Sequence, residues 1–264
     1  MATSKHFTVT VTPTIPGEHQ SASSATYGAG DVLFDWTEFN IPKGAAKLVS
    51  VTAVLSGKDG GAQSVQDIEF FFAKTINGVA PTTMGNSNAT ASAAPIVKNH
   101  IIGFTKLESN ADYGENSFDF FAVGNTGSGA AGSNIPSIVL EGEPDSGTNV
   151  GFDKLYLGAI AATSNISFGT KVLTRGAITA DNTTTIPTDL QGSADSDPNA
   201  ETIFAVGDVI ETGTGDTVGT IASISAFDTN HQDIILTANN VEAIADDEEL
   251  FNVNPIKVIL SFER

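Results

Sequence analysis

The chain has 264 residues, 40% of them hydrophobic, with 26 Gly, no Cys and 16% charged residues, and its net charge at pH 7 is −19. That size and apolar content suit one large β domain or two smaller ones and argue against disorder. The charge disfavours nucleic acid and anionic membrane as direct partners, and the missing cysteines exclude a disulfide framework and a Cys-ligated metal.

The first residues lack the apolar stretch of a signal peptide, and no run reaches the ~18 apolar residues of a membrane span. A soluble protein made in a cytoplasm is expected. Phe7, Val9 and Val11 alternate with Thr8, Thr10 and Thr12, the period of a half-buried strand, which Pro13 and Pro16 end. A polar loop over 19–30 follows. Strands are predicted over 31–39, 47–55 and 67–76, with a turn at 41–44. Phe70, Phe71 and Phe72 are consecutive, so their rings must divide between the two faces of a strand. Residues 77–94 form a Gly/Asn/Ala/Thr-rich loop, longer than the ~12–15 residues above which loops are uncommon. Strands resume over 100–107, 117–123 (with Phe118, Phe120 and Phe121), 137–140, 154–162 and 169–178. About nine short strands separated by turn signals predict an all-β jelly roll or β-sandwich.

The charge then changes. Residues 172–255 carry fifteen Asp and Glu against one Arg, a net of −14, and the rest of the chain carries −5. After a Thr/Asp/Ser-rich linker over 181–200 with Pro187 and Pro198, short strands are expected over 204–210, 217–225, 233–237 and 250–253. They suit a small SH3-like β-barrel. Its core would be Val206, Val209, Ile210, Val218, Ile221, Ile224, Ile234, Leu236 and Phe251. The last residues, 256–264, make one apolar strand, which needs a sheet upstream. The expected division is a main β domain over 1–178, completed by 256–264 as a returning strand, with an acidic module over 179–255 inserted before it.

No motif carries catalytic chemistry. Gly127-Ser-Gly129-Ala-Ala-Gly132 follows a predicted strand as a dinucleotide loop does, but Pro136 and its neighbours cannot begin the helix that holds the pyrophosphate. Asp195, Asp197, Asn199 and Glu201 alternate like calcium ligands, yet Ala200 stands where the loop needs Gly and Val206 where it needs Glu. The run Asp246 to Glu249 reads as a solvated turn. His6, His19, His100 and His231 show no metal spacing, and no Gly-x-Ser-x-Gly elbow exists. No catalytic, cofactor or metal residue is therefore assigned. Trp36, Tyr27 and Tyr113 are the candidates for a sugar-stacking platform, against the alternative of core aromatics.

The segment from Phe204 through Val218, Ile234 and Asp246 to Ile256, together with the closing Lys257-Val-Ile-Leu-Ser-Phe-Glu263, resembles insertions in virion structural proteins of marine tailed bacteriophages. The Cys-free, Gly/Ala/Thr-rich body is similar in style. The resemblance implies a non-enzymatic head decoration, or cement, protein on the capsid exterior, ahead of another head or tail component. It would bind the major capsid protein and itself, as a homotrimer. The candidate assembly surface is Phe7, Val9, Val11, Phe70, Phe71, Phe72, Phe118, Phe120 and Phe121. The alternative is a carbohydrate-binding β module of a virion or secreted adhesin.

Overall fold

The structure is a computed structural model that describes residues 5–20, 26–56, 67–92, 100–107, 113–114, 121–124, 138–144, 151–189, 200–226 and 231–264. Its strands in chain order are β1 (His6–Val11), β2 (Val32–Pro42), β3 (Ala46–Leu55), β4 (Ile68–Lys74), β5 (Ile101–Leu107), β6 (Tyr113–Gly114), β7 (Phe121–Gly124), β8 (Ile138–Leu140), β9 (Glu143–Pro144), β10 (Phe152–Ala161), β11 (Lys171–Thr174), β12 (Thr185–Asp189), β13 (Val209–Thr212), β14 (Thr217–Ile224), β15 (His231–Leu236), β16 (Glu249–Asn252) and β17 (Ile256–Glu263). The α-helix among the described residues is one turn, α1 (Ala200–Ile203). No helix among them is long and apolar enough to cross a membrane.

Two antiparallel sheets make the body. The first runs β1-β17-β3-β7-β6, with β8 also paired to β3; the second runs β2-β10-β4-β5, with β9 also paired to β10. Outer strands pair with late ones and inner strands with each other: β1 with β17, β2 with β10, β3 with β7, β4 with β5. One long antiparallel hairpin has been wound on itself, which is the jelly roll.

Alternation builds its core. In β17, Ile256, Val258, Leu260 and Phe262 are fully buried, and Lys257, Ile259, Ser261 and Glu263 take the other face. In β4, Phe70 and Phe72 point inward, where they join Phe34, Ile41, Leu48 and Phe262. Each such side chain stabilises the fold by about 1.5–3 kcal/mol.

The segment after β4 begins with a two-residue turn. Ile76 bridges Val79, and Asn77 and Gly78 take φ of 52° and 74°, as a type I′ turn requires. Both turn N–H groups donate to the Glu143 carboxylate, at 2.7 and 2.8 Å. The chain then crosses the outer face of the second sheet. Met84 packs there with Trp36, Ile101 and Ile160, Trp36 Nε1 donates to the Thr82 carbonyl, and Met84 N–H donates to Asp35. Gly158 makes the room: a Cβ on it would stand 2.4 Å from Met84 Cε.

Between β10 and β17 the chain closes a second body, a barrel in the cyclic order β11-β12-β15-β14-β13-β16. Its interior holds Val172, Ile186, Phe204, Ile210, Ile234 and Leu250 among others. Four details differ from the sequence expectation. β11 lies in the stretch assigned to the main domain, yet it pairs only with barrel strands β12 and β16. β12 lies inside the expected linker, with Pro187 opposite Asp233. Val206 is not core but 69% exposed, because α1 and a turn occupy the place expected of a strand. Phe251 is fully buried but lies outside the barrel's core cluster, and its Cβ stands against Gly17 of the body.

That last contact belongs to a hydrogen-bonded junction. Gln20 is fully buried; its Nε2 donates to the carbonyls of Ile15 and Asn252 at 2.9 and 2.6 Å, and its Oε1 accepts from the Thr170 hydroxyl. Ile15 N–H donates to the Val253 carbonyl, Gly17 N–H to the Glu211 carboxylate, and Asn254 Nδ2 to the Pro13 carbonyl. The connection between β1 and β2 is thus held against the barrel by groups that leave few polar atoms unmet.

Candidate assembly surface

The residues nominated as an assembly surface separate once strand register is known. Phe7 pairs with Phe262 across β1 and β17, and register partners share a face. Phe262 points into the core, so Phe7 stacks on it at 5.1 Å and Val9 and Val11 follow inward. These three therefore face the core, Phe7 and Val9 only partly buried; Thr8 and Thr10 take the wet side. Phe70 and Phe72 are likewise core. Phe118 and Phe120 lie outside the described residues, as does the Phe121 side chain.

Phe71 remains, and the structure adds a residue that sequence reading did not nominate. Phe104 of β5 is the register partner of Phe71, and the two rings stack at 6.2 Å with 25° between planes. Phe104 is 63% exposed. The pair sits on the outer face of the second sheet, next to Gly158 in the same row. Beyond Gly158 the face is covered by Met84 and Trp36, and Met84 also packs against Ile101 at the start of β5; Phe104, further along β5, is exposed. The neighbouring row reads Ile160, Glu69, Lys106. On the far strands of the same face, Lys154 pairs with Glu38 at 3.0 Å. Beside the Phe pair, Glu69 and Lys106 balance on a chain of charge −19.

Two of the three candidates for a sugar platform have described side chains. Tyr27 is fully buried, edge-on to Phe168, and hydrogen-bonded to Ser87; burial pushes its phenol well above the ordinary range. Trp36 has its indole N–H committed to Thr82 and one side under Met84. The Tyr113 side chain lies outside the described residues, as do Gly127 to Gly132 and Asp195 to Asn199.

The acidic turn is tied down locally. Asp246 accepts from Gly176 N–H, Glu248 from Ala245 N–H, and Glu249 pairs with Lys171. His100 is buried against the Lys74 carbonyl, and His19 lies beside Glu18. Among the described residues no three His, Cys, Asp or Glu side chains are grouped to hold a metal ion.

A cleft of about 780 Å³ separates the barrel from the first sheet, between Thr10, Thr12, Val54 and Lys257 on one wall and Glu201, Phe204, Val206 and Asp208 on the other. Burial pushes the Asp208 carboxyl above its usual range, while hydrogen bonds from Ala205 N–H and Asn252 Nδ2 hold its position. Both bonds fall on the same oxygen and belong to the barrel wall. This carboxylate is a structural acceptor.

No family model matches the chain, and no curated protein matches it. Among solved structures, a chain of the structure of infectious bursal disease virus Gx strain aligns over 98% of this chain and 40% of its own length, at 8% identity and a TM-score of 0.21. At that score the likeness carries nothing about function.

Proposed function

We propose that this chain is a non-enzymatic virion structural protein, a head decoration protein that binds the major capsid protein from outside and associates with copies of itself. One observation carries the reading: the stacked Phe71–Phe104 pair on the outer face of the jelly roll, with Phe104 63% exposed. Isolated surface apolars are ordinary, but a stacked aromatic pair on a flat sheet face is costly in water unless a partner covers it. Jelly rolls serve both capsids and lectins. The burial of Tyr27 and the engagement of Trp36 weigh against the sugar-binding alternative. The acidic barrel would face solvent, where its charge costs least and discourages contact between particles.

The test is co-sedimentation of the purified protein with empty shells assembled from the major capsid protein of the same virus. Saturable binding at a fixed ratio per capsomer supports the proposal. Absence of binding across a salt series, together with micromolar binding to a polysaccharide, overturns it in favour of the adhesin reading.

A further inference from the structure

Resting on that reading of the Phe71–Phe104 surface, we infer that its occupant is a second copy of this chain, joined by a twofold axis that lies in the sheet face, parallel to β4 and β5 and midway between them.

The register carries the argument. Phe71 is opposite Phe104, and two residues further along the same face Glu69 is opposite Lys106. A twofold axis running between two paired strands exchanges them. It lays Phe71 of one copy over Phe104 of the other, and in the same operation Glu69 of one over Lys106 of the other. Apolar meets apolar and acid meets base, with no residue required to move to another strand. Sheets that pack face to face stand about 10 Å apart with strands nearly aligned, which is the spacing these side chains bridge. A twofold contact uses one patch twice and so demands this self-complementarity. A threefold ring joins two different patches and does not use it.

Charge points to the same occupant. Two copies of a chain at −19 repel over most of their surfaces. They approach most easily where the local charge cancels, as it does around this pair. The open half of the face is small, because the segment carrying Met84 covers the rest. The contact falls at the small end of interface sizes, so the dimer is weak in dilute solution and is reinforced where a shell holds many copies close together.

Sedimentation equilibrium of the full chain from micromolar to about millimolar concentration, at ~0.15 M salt where distant charges are screened beyond about 8 Å, tests the inference. A monomer–dimer equilibrium is expected. Phe104→Ser is expected to weaken it at least about tenfold, and Glu69→Lys, which sets like charges opposite each other, by about as much. The double exchange Glu69→Lys with Lys106→Glu restores acid opposite base and should return the dissociation constant to within about threefold of the parent. That rescue separates a designed contact from a folding defect, and thermal melts of all four proteins check folding directly. A trimer, a chain that stays monomeric at about 1 mM, or a dimer indifferent to both single changes overturns the inference. Shell binding is measured separately with the same proteins. Shell binding without the dimer refutes this inference alone, and a dimer without shell binding refutes the decoration role alone.

Discussion

Replacing Gln20 tests how firmly the barrel is fixed to the jelly roll. Its amide has one orientation that fits: Nε2 faces the carbonyls of Ile15 and Asn252, and Oε1 faces the Thr170 hydroxyl. In Gln20→Ala those partners stay buried and lose their bonds. The Asn252 carbonyl keeps one donor, Thr170, at 3.3 Å, so the Ile15 carbonyl bears most of the loss. A buried polar group left unmet costs about 1–3 kcal/mol. With the packing lost alongside it, destabilisation of about 2–4 kcal/mol is expected. Gln20→Glu is the sharper perturbation, because it is nearly the same shape. It sets a carboxylate oxygen against two carbonyl oxygens, acceptor against acceptor, at a fully buried position. It should be at least as damaging as Gln20→Ala at neutral pH and should recover part of its loss on acidification, when the carboxyl gains a proton to donate. Urea titrations monitored by Trp36 fluorescence and by far-UV circular dichroism give both values. If Gln20→Glu lies within about 0.5 kcal/mol of the parent, as an ordinary surface change does, the hydrogen-bonded junction is not what holds the two bodies.

Alternation in β4 is checked by a pair of variants: Phe72→Ala should cost about 3–5 kcal/mol in urea unfolding, and Phe71→Ala less than about 1 kcal/mol, and similar losses for both would contradict the register. Burial raises the carboxyls of Asp208 and Glu211, so folding takes up protons just above the ordinary carboxylate range and stability from these groups falls as pH rises through that window. Glu143, held low by Gly78 and Asn77 N–H groups, acts in the opposite sense below that range, but it is solvent-exposed and its effect is small. These two groups should accordingly make the chain melt at a higher temperature just above the ordinary carboxylate pKa, at about pH 4.5, than near pH 8. Asp208→Asn with Glu211→Gln should flatten that slope, and an unchanged slope would locate its origin elsewhere. Joining Thr170 to Pro255 by a short linker removes the barrel strands and should leave a β-rich body with a lower melting temperature; a chain that shows no cooperative melt would mean that the body depends on the barrel.

Much of the architecture was legible from period-2 patterning. The strand through Phe7, the division of Phe70 to Phe72 between two faces, and the isolated closing strand all follow from side-chain alternation and from the need of a strand for a sheet. What was not legible depended on pairing. Alternation says that Phe7, Val9 and Val11 share a face but not which one; only the pairing with Phe262 turns that face inward. Phe104 stands alone in its segment, flanked by Gly103 and Thr105, and gains meaning only as the neighbour of Phe71. Pro187 read as a linker because proline cannot donate to a ladder, yet its carbonyl still accepts from Arg175 N–H and the strand survives. Val206 read as core from an apolar run that α1 and its following turn interrupt. Phe251 read as barrel interior by alternation, yet it lies outside that core cluster, between Gly17 of the body and Gly213 of the barrel.

The insertion point of the barrel also bears on how far the chain must search during folding. β17 lies between β1 and β3, so the first sheet lacks an inner strand until the last residues of the chain join it. Closing that gap directly would mean bringing Ile256 back across the whole stretch from β11 to β16, and long-range strand pairing of this kind is slow. A barrel that forms early removes most of that search. Its two ends are already side by side, since Asn252 N–H donates to the Thr170 carbonyl at 2.8 Å. Once closed, it delivers β17 to the end of β10 as if only a short turn separated them. An inserted body that closed first would act as a chaperone carried in the same chain, shortening the time for which β1 and β3 present unpaired edges.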